Sequence, residues 1–306
     1  HDIGNGLTFQ ANHGISSEEG ESISDVMVRL EGNLEDEQMT LINGSFNFNN
    51  LPVDYNYSIR PEKNKNPLNG ISTYDLVLIS KHVLGLERIQ SPYRLIAADV
   101  NNSGSISAFD MVDLRKLILF IETEFENNTS WRFITADYVF PDPSSPFSST
   151  FPEVYTINNL NRDEIANFVA IKTGDVNNSA RPNLAVGSEE RTAIGSFDFQ
   201  VADRNLQAGQ TYTVDFNTAA FDQIAGLQFS LNFDRELAEV TKVIPQMEGM
   251  TTGNFGTHML DKGVVTSSFV NTANAAEGTA FRLEIRAKRD AQLSDILSIS
   301  SEFTPA

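Results

Sequence analysis

The sequence predicts a multidomain, mainly β chain. It comprises an N-terminal β-sandwich, a central helical module opened by oxygen-rich loops, and a C-terminal β-sandwich of the jelly-roll type. Two stretches of period-two apolar alternation, within residues 23–59 and from Ile194 onward, predict the sandwiches. Two short runs of helical spacing between them, each preceded by Asn, Ser and Gly, predict the central module. These place the domains at 1–60, 61–180 and 193–306, with a linker over 181–192 that opens as RPNLAVGSEE.

In the first domain, Ile23 to Leu30 alternates so that Val26, Val28 and Leu30 share one face. Asn43-Gly44 supplies a turn tolerant of positive φ. Phe46 and Phe48 then share a face, Leu51-Pro52 breaks the run, and Tyr55, Tyr57 and Ile59 form a further strand. In the middle, Leu76, Ile79 and Val83 recur at helical spacing over Asp75–Leu84, widened by Val77 and Leu84, and Gly85 ends the run. Asp110–Phe120 repeats the pattern with Leu114, Leu117 and Ile118. Pro141, Pro143, Pro146 and Pro152 make the stretch between Glu122 and Tyr155 an ordered loop or insertion, and Asp163–Lys172 reads as a third helix. Phe197-Phe199-Val201, Tyr212-Val214-Phe216, Leu227-Phe229-Leu231-Phe233, Val264-Val265 and Phe281-Leu283-Ile285 are the strands of the last domain. With the sequence stopping soon after the strand-like 296–303 region, that sandwich is expected to lack a final strand.

The chain of 306 residues carries 41 acidic against 22 basic residues, a net charge of -19. Phosphate-rich nucleic acid and anionic lipid would be repelled by such a surface. Cysteine is absent, which excludes disulfide staples, thiolate metal sites and cysteine nucleophiles. No apolar run approaches the roughly 18 residues of a spanning helix. The start, His1-Asp2-Ile3-Gly4, lacks signal-peptide character, so the secreted or cell-surface location expected here comes from architecture alone.

The strongest chemical signal is the run Asp99 to Asp110. Asp99, Asn101, Ser103, Ser107 and Asp110 place side-chain oxygens at loop positions 1, 3, 5, 9 and 12, and Ser105 at position 7 offers its carbonyl. Gly104 permits the sharp turn and Ile106 anchors the loop to a core. Calcium takes six to eight hard oxygen ligands, and this spacing wraps them round one point. The bland alternative is an Asn/Ser/Gly turn before an Asp-capped helix. The same register set back from Asp75 gives Asn64, Asn66, Leu68, Gly70, Ser72 and Asp75, with an amide at position 1 and no side-chain oxygen at position 5, so a weaker site is expected there. Asp175-Val176-Asn177-Asn178-Ser179 copies the start of the strong loop, but Pro182 falls where a helix should follow. It is either a capping turn or a site in which Asp175 and Asn177 are completed from elsewhere, for instance by Asp163.

The strong loop and the helices DLVLISKHVLGL and DMVDLRKLILF make residues 61–180 resemble type I dockerins. The asparagine and leucine of the first loop and the proline-rich segment after Ile121 depart from that pattern. The resemblance implies bound Ca2+ and a cohesin partner contacted from Thr73, Tyr74, Lys81 and His82 in one repeat and Ala108, Phe109, Arg115 and Lys116 in the other. Packing of Tyr74 and Phe109 inside this chain is the alternative. NGSFNFNNLP makes residues 1–60 resemble carboxypeptidase-regulatory or Cna-B-like stalk sandwiches. LQAGQTYTVDFNTAAFDQIAGLQFSLNFDRELAEV and GVVTSSFVN make residues 193–306 resemble a cohesin-like jelly roll.

Together these resemblances imply a calcium-stabilised extracellular assembly module. The partner would be a β-sandwich in the same chain or in neighbouring copies, the latter giving a head-to-tail homopolymer. His1, His13, His82 and His258 form no zinc motif, and no nucleophile elbow or nucleotide loop is present, so a non-enzymatic role is expected. The alternative is glycan binding through an exposed strip of Trp131, Phe133 and Tyr138.

Overall fold

The computed structural model describes residues 8–183, 197–219, 221–271 and 277–300. The expected linker from residue 184 onward lies outside these residues, as do His1 and the last six positions. The architecture is mostly β, with several sheets and few helices. Among the described residues, no helix is long and apolar enough to cross a membrane. Two compact units divide the chain: residues 1–71, 82–110 and 124–189 form the first, and residues 72–81, 111–123 and 190–306 the second.

The first unit begins with β1 (Thr8–Ser16), β2 (Met27–Gly32), β3 (Asp36–Met39), β4 (Ser45–Pro52) and β5 (Tyr57–Glu62). Helix α1 (Thr73–Val83) lies mostly in the second unit, α2 (Pro92–Ala98) in the first, and α3 (Ala108–Ile118) mostly in the second. Then β6 (Trp131–Thr135), β7 (Tyr155–Ile157) and β8 (Phe168–Lys172) return to the first unit. Its sheets run in the orders β4-β1-β8-β6 and β3-β2-β5-β7. Val26, Val28, Leu30, Phe46, Phe48, Tyr57 and Ile59 are buried in one core, as their alternation predicts. Tyr55 is exposed, because the strand starts only at Tyr57.

The N-terminal sandwich does not close at residue 60. Strand β8 pairs parallel with β1 and antiparallel with β6, and β7 pairs with β5, so both sheets are finished by strands far downstream of β5, from Trp131 onward. A sheet of β1 and β4 alone would leave the apolar face of β2 and β5 half uncovered. The helix expected over Asp163–Lys172 is this strand: Phe168-Val169-Ala170-Ile171 is a continuous apolar run, whose spacing also matches a helix. Asp163 sits before it and accepts the Gln10 N–H at 2.8 Å. The proline-rich stretch, expected as loop, holds β6, all five of whose residues are buried. Trp131 and Phe133 are only 4% and 3% exposed, so no glycan-binding strip stands on this surface. Helix α2 went unread, although Ser91 caps it from its side chain and Pro92 follows at the first turn.

The second unit continues with β9 (Asn205–Leu206), β10 (Thr211–Thr218), β11 (Gly226–Phe233), β12 (Ala238–Pro245), β13 (Phe255–Gly256), β14 (Val264–Val270), β15 (Gly278–Ala287), β16 (Ala291–Gln292), α4 (Leu293–Ile296) and β17 (Leu297–Ser300). Sheets β10-β15-β12 and β13-β14-β11-β17 enclose an aromatic core in which Phe216 stacks on Phe281 at 4.4 Å. The expected strands through Val214, Phe229, Val265 and Leu283 are all present. Phe197 and Phe199 pack against this core from irregular chain rather than from a strand.

His13, buried on β1, accepts the Ala166 N–H at Nδ1 and thereby ties β1 to the approach of β8. Burial pushes its pKa from 6.5 to about 3. The unfolded chain takes up this proton near 6.5 and the folded chain only near 3, so stability is full above that window and falls as pH drops through it. Unfolding of the first unit, followed by denaturant titration, should weaken from pH 6.5 to pH 3. His13→Gln should flatten that slope.

Candidate metal loops and helix–sheet face

The loop from Asp99 to Asp110 lies wholly in the first unit. Asp99 and Asp110 are both buried. Asp99 Oδ1 accepts the Ser103 N–H and Oδ2 the Gly104 N–H, each at 2.8 Å. Asn101 Oδ1 also takes the Ser103 N–H, at 3.1 Å. From the far end, Asp110 Oδ1 accepts the Asn101 N–H at 3.2 Å, so the twelfth position folds back across the loop. Its other oxygen takes the Ser107 N–H at 2.8 Å and the Ser107 hydroxyl at 3.2 Å. Ser103 Oγ donates to the Ser105 carbonyl at 3.2 Å. Gly104 holds φ at +77° and Asn102 at +56°, the left-handed conformations this tight ring requires.

Burial raises the Asp99 pKa, the Gly104 and Ser103 amides lower it in part, and the charge of Asp110 raises it again. A hard cation would stabilise such a pair of carboxylates. Among the described residues, no three His, Asp or Glu side chains converge. An ion here would therefore lean on amide, hydroxyl and carbonyl oxygens as well as on the two carboxylates.

The loop expected from Asn64 is divided. Asn64 Oδ1 accepts the Ser130 N–H at 2.9 Å and hydroxyl at 3.1 Å, so it is turned toward the strand before β6. Asn66 takes a positive φ of 51° in a turn, where its carbonyl accepts from Asn69 N at 3.0 Å, and Leu68 lies in that turn. Gly70 faces Ala180, whereas Ser72 and Asp75 keep the bonds of the strong loop: Asp75 Oδ2 accepts the Ser72 N–H at 2.8 Å and hydroxyl at 3.2 Å. In the third segment, Asp175 accepts from Ser179 N at 3.1 Å and Ala180 N at 2.8 Å, and Asn177 from Ser179 N at 3.0 Å. Burial raises the Asp175 pKa as well.

The partner positions separate sharply. Thr73 is buried within the second unit: its N–H donates to Gln228 Oε1 at 2.6 Å, and its hydroxyl bonds that of Ser268 at 2.7 Å. At the end of α3, the Leu119 carbonyl accepts the Thr266 hydroxyl at 2.8 Å. These contacts cover the outward face of β11 and β14, and every residue of β14 is buried. Small residues let the helices close: a Cβ on Gly226 would lie 2.9 Å from Thr73 Cγ2, and one on Gly256 would lie 2.8 Å from the Leu119 carbonyl oxygen. Sequence reasoning missed Gly226, Gln228, Gly256, Thr266 and Ser268. Their signal is the interruption of the apolar run VVTSSFV by Thr266 and Ser268, which share the side of β14 opposite Val265 and Phe269.

Tyr74, Ala108 and Phe109 are exposed. Lys81 is half-buried, and His82 Nδ1 accepts the Ile89 N–H at 3.1 Å, pinning the turn after α1. Arg115 is half-buried, with its pKa lowered by burial, and Lys116 pairs with Asp113 at 2.9 Å.

No family model matches the chain. No curated protein matches it. Among solved structures it is similar to the third cohesin of ScaC in complex with the ScaB dockerin from Acetivibrio cellulolyticus, at 16% identity over 32% of this chain and 81% of that one, TM-score 0.24. It is similar to a type I cohesin–dockerin complex of OlpC from Clostridium thermocellum, at 17% identity over 32% and 71%, TM-score 0.24. It is also similar to BcpA, the major pilin subunit of Bacillus cereus, at 8% identity over 96% and 67%, TM-score 0.26. Likenesses of this size assign the chain no family and no role.

The helix–sheet face should tolerate no added volume. Gly256→Ala places a methyl 2.3 Å from Thr266 Oγ1 and should cost about 1–3 kcal/mol in denaturant unfolding of the second unit. Gly104→Ala meets nothing within 4 Å and should cost only about 1 kcal/mol, through its left-handed φ.

Proposed function

We propose that this chain is a calcium-stabilised, non-enzymatic structural module of an extracellular or cell-surface assembly. It would act by protein–protein association, with a helical docking element seated on a β-sandwich face. The observation that carries this reading is the seating of residues 72–81 and 111–123 on β11 and β14 through Thr73, Leu119, Gln228, Thr266 and Ser268. That face is spoken for inside the chain, which favours pairing within one molecule over head-to-tail contact between copies. A polymer would require exchange of the helices, since an exposed β14 face would leave its hydroxyls and glycines free for another chain.

The oxygen geometry of Asp99 to Asp110 supports calcium as a fixed structural ion. Ordering that loop around a cation converts binding free energy into folding free energy. His13 and His82 both accept backbone N–H groups, which gives them structural work.

The reading is tested by calorimetry of the full chain in CaCl2 and in EDTA. Calcium at a hundred times its dissociation constant should add about 2.7 kcal/mol of stability. Asp99→Ala should remove most of the gain from this loop. An unchanged melting profile in EDTA would defeat the calcium reading. Light scattering of concentrated wild-type protein in calcium should give a monomer, and growing assemblies would instead favour exchange between copies.

A further inference from the structure

We infer that Asn43 is a site of self-modification: its side-chain amide is lost to attack by the Gly44 backbone nitrogen, which leaves aspartyl and β-linked isoaspartyl residues in this turn. Asn-Gly occurs as Asn5-Gly6, Asn43-Gly44 and Asn69-Gly70, and the first pair lies outside the described residues. Glycine suits the reaction because it has no Cβ to shield its own nitrogen. The two described pairs both belong to the first unit and share that chemistry, so what separates them is their surroundings.

Asn43 is exposed in the hairpin loop between β3 and β4. Its Oδ1 accepts the Ser45 N–H at 3.1 Å and the Ser45 hydroxyl at 2.7 Å. The ring closed by the first of these bonds runs through Asn43 Cγ and Gly44 N, so one small turn gathers both reacting atoms. Both donors point at the oxygen on which negative charge grows when Cγ is attacked, and so stabilise it. One contact opposes the reaction. The Gly44 N–H donates to the Leu41 carbonyl at 2.8 Å and must leave it before the proton is lost. Leu41 and Ile42 are 64% and 79% exposed, so their side chains do little to hold the loop against that opening.

Asn69 is held differently. Its Nδ2 donates to the Arg181 carbonyl at 3.0 Å, and its Oδ1 accepts the Arg181 N–H at 2.9 Å. The amide is clamped at both ends to a distant segment, and Gly70 is buried against Ala180. Ile71, at the place of Ser45, has no side-chain donor.

The reaction needs only water. A base in solvent takes the Gly44 amide proton, the nitrogen bonds to Asn43 Cγ, and the Cγ–Nδ2 bond breaks to release ammonia. Water then opens the five-membered imide. Opening at Cγ gives aspartate on the ordinary backbone. Opening at the Asn43 main-chain carbonyl carbon leaves the chain running through Cβ, one atom longer. Gly44 has no room for that atom: its carbonyl accepts the Ile15 N–H at 3.0 Å, and even a Cβ there would lie 2.4 Å from the Ile15 carbonyl oxygen. The β-linked form therefore pulls the turn off Ile15, beside the Gly14–Ser45 pair that ends the β1–β4 ladder.

The test is peptide mapping by mass spectrometry after incubation of the full chain at mildly alkaline pH, folded and in urea. In the folded chain conversion should appear at Asn43 and not at Asn69, whereas in urea the two should convert at similar rates. Ser45→Ala should slow conversion of Asn43 in the folded chain by roughly threefold, far less than the loss of a donor costs in a closed active site. Asn43→Gln should abolish conversion at this turn. The isolated β-linked form should unfold its first unit at lower urea than Asn43→Asp, which has the charge without the extra backbone atom. Equal conversion at both positions of the folded chain overturns the site, as does no conversion at Asn43 over a time in which the denatured chain reacts. An unchanged rate in Ser45→Ala overturns the role of the donors, and equal urea midpoints overturn the loosening of the turn.

Discussion

A strand of hydroxyls cannot be buried unless each finds a partner, and the second unit is organised around that constraint. Strand β14 turns Val265 and Phe269 into the aromatic core and Thr266 and Ser268 the other way, yet all of them are buried. Residues 72–81 and 111–123 supply the cover and the partners: the Thr73 hydroxyl for Ser268 and the Leu119 carbonyl for Thr266. Glycine at 226 and 256 sets the distance of approach. Two stretches of chain whose neighbours in sequence belong to the first unit are therefore counted with the second, because their apolar stripes and polar ends fit this face.

The first unit meets a related constraint with charge. Asp99 and Asp175 are buried, and burial disfavours their ionised forms. Each is ringed by backbone amides, which recover part of the lost hydration, and each begins the same five-residue sequence. A polypeptide with no cysteine has few ways to staple short helices and loops, and hard cations on oxygen are one of them.

Local periodicity made the cores legible. Val26, Val28, Leu30, Phe46 and Phe48 fell where alternation put them, as did Val214, Phe229 and Leu283. What local pattern could not carry was pairing at a distance. Phe168–Lys172 reads equally as helix or buried strand until β1 and β6 are seen on either side of it. The proline-rich stretch around Trp131 and Phe133 reads as loop or insertion, and that context hid a strand buried along its length. The oxygen-bearing loop from Asp99 was plain because all its positions are consecutive.

The pairing of β1 with β8 has a consequence for biosynthesis. Ile15 waits for Phe168, and His13 for Ala166, so the first sheet cannot close until the ribosome has released the segment that carries β8. The strands up to β5 must survive until then as an unfinished layer with an apolar face. Contacts of such long reach slow folding and lengthen exposure to aggregation. Acidic residues at the open edge of that layer, such as Asp36 and Glu37 on β3, add like-charge repulsion between nascent chains that would otherwise pair edge to edge.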